Sequence, residues 1–115
     1  MELSKVEIII SLSKFEDLRH ELSKLNLSGV TVYQAIGCGT QKGTKEYEIS
    51  ENVEIEFLPK QVVMLVVENK NLDRIIDAIE KALYTGHIGD GKIIVTPVSN
   101  IIRVRTGEDG VDALN

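Results

Sequence analysis

Only one cysteine, Cys38, stands in the 115 residues, which rules out an intramolecular disulfide and any zinc site built on cysteines and suits a reducing compartment. Aromatics make up 4%, so the core has to be packed with Ile, Val and Leu. The longest uninterrupted apolar run, Val62 to Val67, is far short of the ~20 residues that cross a bilayer, and no membrane insertion is expected. Cations are scarce as well. Eighteen acidic residues against 13 basic ones give a formal charge of −5, which argues against binding DNA or RNA through a broad electrostatic patch and leaves room only for a local cationic pocket. Two acids within the first seven residues, and no small-residue cleavage site after them, read as no signal peptide, so a cytoplasmic location is expected. No Ser/His/Asp set and no paired histidines suggest a catalytic centre or a metal cage.

What is present is a patterned chain of 43% hydrophobic and 27% charged residues, with a length that fits one domain over residues 1–115. Lys5 to Ser11 alternates with period two and predicts a strand. Ser13 and Glu16 form the S-x-x-E pattern of a helix start, and Phe15, Leu18, Leu22 and Leu25 follow at helical spacing. Val30 to Ile36 predicts a second strand, and Gln61 to Val67, apolar on both faces, a third. Asn71 is the expected cap of a second helix running through Leu72, Ile75, Ile76, Ile79, Ala82 and Leu83 towards Gly86. Lys92 to Thr96 predicts a fourth strand stopped by Pro97; a short segment, Ile101 to Arg105, leads to a polar tail expected to be mobile from about residue 107 to 115. The order is strand, helix, strand, strand, helix, strand, the α+β, ferredoxin-like βαββαβ sandwich. Two helices cover one face of such a sheet, so the other is expected to pack against further copies of the chain.

Three stretches carry chemistry. Thr85-Gly86-His87-Ile88-Gly89-Asp90-Gly91-Lys92 combines backbone freedom with a lysine, the physics of an anion cradle, although a glycine-rich turn built for geometry alone is equally compatible with it. It follows a helix and enters a strand, the reverse of the Walker and dinucleotide motifs. Arg103-Val104-Arg105 sets two guanidinium groups on one side if the segment is extended, and such forks match phosphate oxygens. The third stretch, Gly37 to Pro59, exceeds the ~12–15 residues usual for a connection in a compact domain. It opens with Gly37, Gly39 and Gly43 and continues as a charged arm where Val53, Ile55 and Phe57 alternate with Glu54 and Glu56. His20 reads as a solvated side chain and Cys38 as a small semi-buried residue.

Gly89-Asp90-Gly91-Lys92, Arg103-x-Arg105, Gly37-x-Gly39-x-Gln41-Lys42-Gly43 and Phe57-Leu58-Pro59-Lys60, in a chain of this length, resemble the PII signal-transduction proteins of nitrogen control, from about Lys5 to Gly110. The resemblance implies a homotrimer, not an enzyme, that binds ATP or ADP in clefts between subunits, with 2-oxoglutarate joining through a magnesium ion (Mg2+) on bound ATP. Carried over by position, Gly89, Asp90, Gly91, Lys92, Arg103 and Arg105 would hold phosphates, and Ile9, Thr31, Gly37 and Val66 would line the adenine and ribose part. Gly39, Gln41, Lys42, Gly43 and Lys60 would serve 2-oxoglutarate, and Gln41 would also reach the metal. Residues 39–56 would be the family's long protruding loop, the T-loop, which touches an ammonium transporter or an enzyme of nitrogen metabolism. The chain departs from the family pattern at several places: Val53 replaces the tyrosine that is uridylylated in some members, and Glu51 replaces the serine modified in others. Thr40 stands for a common arginine, His87 for a lysine and Ser11-Leu12 for a Lys-Pro pair. A PII-like adaptor for another small molecule and a slow ATPase are the alternatives; against the enzyme, an acylphosphatase-like phosphate loop would follow the first strand, where only Ser11-Leu12-Ser13 stands.

Overall fold

Alternation along the first strand decides which side of the sheet becomes the core. In the computed structural model, which describes residues 2–38 and 57–114, β1 spans Leu3–Ser11 and buries Val6, Ile8 and Ile10 almost completely on one side. Lys5, Glu7 and Ile9 point to the other side and stay half-buried. β1 lies between β3 (Leu58–Glu68) and β4 (Lys92–Val98), and β2 (Thr31–Gly37) flanks β3, giving the order β2-β3-β1-β4 with every pair antiparallel. That order and the two helices make the ferredoxin-like sandwich. Register sets Val63 and Leu65 beside Ile8 and Val6, so one apolar face is continuous across the central strands.

Helix α1 (Phe15–Ser23) covers this face with Leu18 and Leu22, and α2 (Asn69–Leu83) covers it with Ile75, Ile79 and Leu83, one turn apart. Each of these side chains contributes roughly 1.5–3 kcal/mol by leaving water. The opposite face carries Ile9, Val62, Met64, Val66, Ile94 and Tyr33, and Tyr33 and Ile94 remain 46% and 43% exposed. Among the described residues no α-helix covers it, and the C-terminal 3-10 turn, Gly110–Leu114, lies against its Thr31, Met64 and Val66 end.

Several boundaries differ from the pattern reading. The Ser13/Glu16 helix start is not formed: the chain enters α1 through a 3-10 turn, Leu12–Lys14, with no side-chain cap. Ser13 Oγ lies 3.1 Å from Ser11 Oγ, and Glu16 is taken by Arg19 Nη2 at 2.8 Å, a charge-assisted bond that outcompetes a backbone amide. Helix α2 starts at Asn69 rather than after Asn71, because Asn69 is anchored across the sheet: its side-chain oxygen accepts the Ser4 hydroxyl and its amide donates to Glu2 O at 3.0 Å. Pro97 does not stop β4, which runs on to Val98; β4 is an edge strand, where a residue without an N–H is tolerated. The expected polar tail takes a defined shape, an isolated bridge between Ile102 and Asp109 followed by a 3-10 turn, Gly110–Leu114.

Candidate functional site

Between α2 and β4 the chain turns on three glycines with positive φ, Gly86 (83°), Gly89 (103°) and Gly91 (106°). Gly91 has a second reason to be glycine: a Cβ there would lie 2.7 Å from Ile9 O and 3.0 Å from Ile10 Cγ2, so the turn is pressed against β1. Asp90 holds the turn from within. Its Oδ2 accepts the amides of Thr85 at 2.8 Å and Gly86 at 3.0 Å, and its Oδ1 accepts the Thr85 hydroxyl. The Thr85 hydroxyl bond, then the Thr85 amide, hold the Asp90 carboxyl below the usual aspartate range, with smaller help from the Gly86 amide and the Lys14 charge. Lys92 opens β4 directly opposite Ile9, which places Ile9, Gly91 and Lys92 together. Among the described residues no carboxylate lies within 4 Å of Lys92, Lys60 or Arg105.

Arg103 and Arg105 do not share one side of an extended segment. Residues 104–106 form a turn, closed by the Gly107 amide on Arg103 O (2.8 Å) and the Arg103 amide on Glu108 O (2.9 Å). Period-two reasoning fails because Gly107, at φ 74°, reverses the chain and brings Glu108 back beside Arg103. Arg103 Nη1 donates to Glu108 Oε1 at 3.0 Å and Nη2 to Ala113 O at 3.3 Å, so this guanidinium also fastens the C-terminal turn.

The remaining positions sort by rows across the open sheet face. Lys60 stands opposite Ser11 and Ala35, and Gly37, opposite Leu58, has Lys60 Cγ 3.4 Å from where its Cβ would be. Thr31 and Val66 lie towards the other end, opposite Met64 and Lys5, and line a hollow of about 190 Å³ with Ile101, Ala113 and Leu114. Ile9 and Lys5 are four residues apart along β1, roughly 13 Å at the rise of an antiparallel strand. Two groups result: Ile9, Gly37, Lys60, Gly91 and Lys92 at one end, and Thr31, Val66 and, through Ala113, Arg103 at the other. Gly39, Gln41, Lys42 and Gly43, with the whole stretch 39–56, lie outside the described residues.

A larger hollow of about 510 Å³ lies beside the turn, lined by Leu83, Tyr84 and Ile93 with Glu80, Lys81 and Asp90. Two carboxylates against one lysine make it a poor anion receptor. The sequence reading gave no separate role to Thr85, Glu108 or Lys14. The glycine-rich run that begins at Thr85 marks a turn but does not show which side chain closes it. Among the described residues no group of three His, Cys, Asp or Glu side chains is placed to hold a metal ion.

Comparison with known proteins bears on the whole arrangement. A family model described as "Nitrogen regulatory protein P-II" matches residues 3–108. The chain is 42% identical to the nitrogen regulatory protein P-II of Azospirillum brasilense over 112 residues, 97% of this chain and 100% of that one. It is also 42% identical to the nitrogen regulatory protein GlnK of Escherichia coli K12 over 109 residues, 95% of this chain and 97% of that one. Among solved structures, a GlnK–ATP complex of B. subtilis superposes with a TM-score of 0.79 at 35% identity, covering 97% of each chain. Arabidopsis thaliana PII bound to citrate gives 0.77 at 36% identity, over 97% of this chain and 92% of that one.

Proposed function

Because the chain belongs to the P-II family of nitrogen regulatory proteins, we propose that it reports adenine nucleotide and 2-oxoglutarate to a protein partner and transforms no substrate. The site that serves this reading is composite. A ligand of about four negative charges needs several cations, and Lys92, Arg103 and Arg105 supply them in an acidic chain. Gly89, Gly91 and Lys92 of one protomer, on the turn that Asp90 holds, with Ile9 and Gly37, would meet Thr31, Val66, Arg103 and Arg105 of its neighbour in a homotrimer. The observation that carries this is the separation of the two groups on one chain: ends of a sheet roughly 13 Å apart serve one ligand best when a second copy brings them together. The half-exposed apolar face of Ile9, Met64, Val66 and Ile94 offers the surface for that copy. That the GlnK of B. subtilis was solved as an ATP complex supports the nucleotide.

Lys60, beside Gly37, would pair with a carboxylate of 2-oxoglutarate, assisted by Gly39, Gln41, Lys42 and Gly43. Magnesium would take its oxygens chiefly from the phosphates and from Gln41, which fits a chain without a carboxylate cage among its described residues. The segment 39–56 would act as the T-loop of a single-domain cytoplasmic protein, its ligand-dependent conformation read by a transporter or enzyme of nitrogen metabolism. No described helix is long and apolar enough to cross a membrane.

Calorimetry with ATP and magnesium, with and without 2-oxoglutarate, tests the reading. A 2-oxoglutarate signal that appears only in the presence of MgATP, and is lost in Lys60→Ala while ATP binding stays, is the expected result. Equal loss of both ligands removes Lys60 from its assigned role, and rapid phosphate release points to an enzyme instead.

A further inference from the structure

An aspartate in a receptor for phosphate is a contradiction unless its charge is turned away, and Asp90 is turned away. Its two oxygens take three donors from inside the turn, namely the Thr85 amide, the Gly86 amide and the Thr85 hydroxyl. Thr85 Oγ1 passes the restraint on by accepting the His87 amide at 3.2 Å. The amides of residues 85–87 are thereby consumed within the turn, while those of Ile88 and Gly89 find no acceptor among the described residues. The turn also lies against the Ile9 carbonyl at Gly91 and leads into Lys92, so its shape decides where free amides and an ammonium stand together.

Resting on the nucleotide reading above, we propose that Asp90 is a positioning residue and Thr85 its relay: together they hold the 85–91 turn in its ligand-ready shape before any phosphate arrives, without Asp90 touching the ligand. A carboxylate suits the position best, because its charge strengthens all three bonds; an asparagine keeps the two amides only by turning its NH2 onto Thr85 Oγ1, and every bond it makes is neutral and weaker. A turn released from this clamp spends a smaller fraction of its time in the binding shape, and the apparent dissociation constant rises by the reciprocal of that fraction.

The full-length protein and its D90N, T85V, T85S and T85V/D90N variants separate the outcomes, using amide hydrogen exchange without nucleotide and calorimetric titration with ADP. In D90N the Thr85 and Gly86 amides are expected to lose protection while Ile8 and Leu65 keep theirs, and ADP affinity to fall roughly tenfold or more, the scale of one lost charge-assisted bond. T85V is expected to weaken ADP in the same direction, T85S to keep the turn's protection, and the double variant to bind no more weakly than D90N, because both act through one clamp. Wild-type ADP affinity in D90N overturns the inference while leaving the nucleotide reading intact. So does a T85V variant that binds ADP normally while D90N does not, because that pattern belongs to direct contact. If D90N does not fold, T85V and T85S carry the comparison. A wild-type protein that binds no ADP overturns the nucleotide reading and this inference with it.

Discussion

Gly91 shows how one residue ties the turn to the sheet. With φ at 106° and the Ile9 carbonyl 2.7 Å from any Cβ, Gly91→Ala combines backbone strain with a collision against a central strand. A cost of about 1–3 kcal/mol is expected and a lowered thermal midpoint checks it; an unchanged midpoint contradicts the packing. Asp90 makes a prediction in pH. Its carboxyl titrates below the ordinary value of 3.8, so the clamp's contribution is complete above that value and is lost as pH falls through the lower folded-state value. Protection of the Thr85 and Gly86 amides, corrected for intrinsic exchange, should stay level through neutral and mildly acidic solution and fail only below the usual aspartate range. Failure near neutrality would assign the protection to another group. The backbone freedom of Gly89 and Gly91 was legible because residue type alone carries it. The roles of Thr85 and Glu108 were not, since each depends on a turn that returns the chain over five residues, and spacing rules describe only regular elements.

Among the elements, the strands were legible and the helix starts were not. Alternation in β1 and the doubly apolar β3 survive translation into structure because burial on a face is a property of many residues at once. A cap is a single bond with competitors. Arg19 claims Glu16, and Ser13 Oγ sits beside Ser11 instead of capping a backbone amide. Ser13→Ala should therefore change stability by well under the ~1 kcal/mol that losing a real N-cap costs, whereas Ile79→Ala, under the α2 stripe, should cost about 2–5 kcal/mol. Denaturant unfolding of the two variants decides it. A large effect at Ser13 would restore the cap that the bonding pattern denies.

For the whole molecule, the open sheet face and the two separated residue groups belong to one description. An apolar surface carrying Ile94, Tyr33 and Val66 is a liability for a lone protomer and an asset for an assembly that completes a site across its seams. The sequence pattern called for a cover on this face, because a third strand apolar on both sides needs two. Which residues stand at which end of the sheet became visible only through register. The most direct measurement is complementation: Lys92→Ala and Arg103→Ala proteins, each crippled in a different half of the site, are titrated with ATP separately and after subunits have been exchanged. Mixed assemblies should regain tight binding in a fraction of their sites, because some seams then join an intact Lys92 to an intact Arg103. A mixture that binds no better than either parent would place both residues on the same protomer's site and contradict the composite cleft.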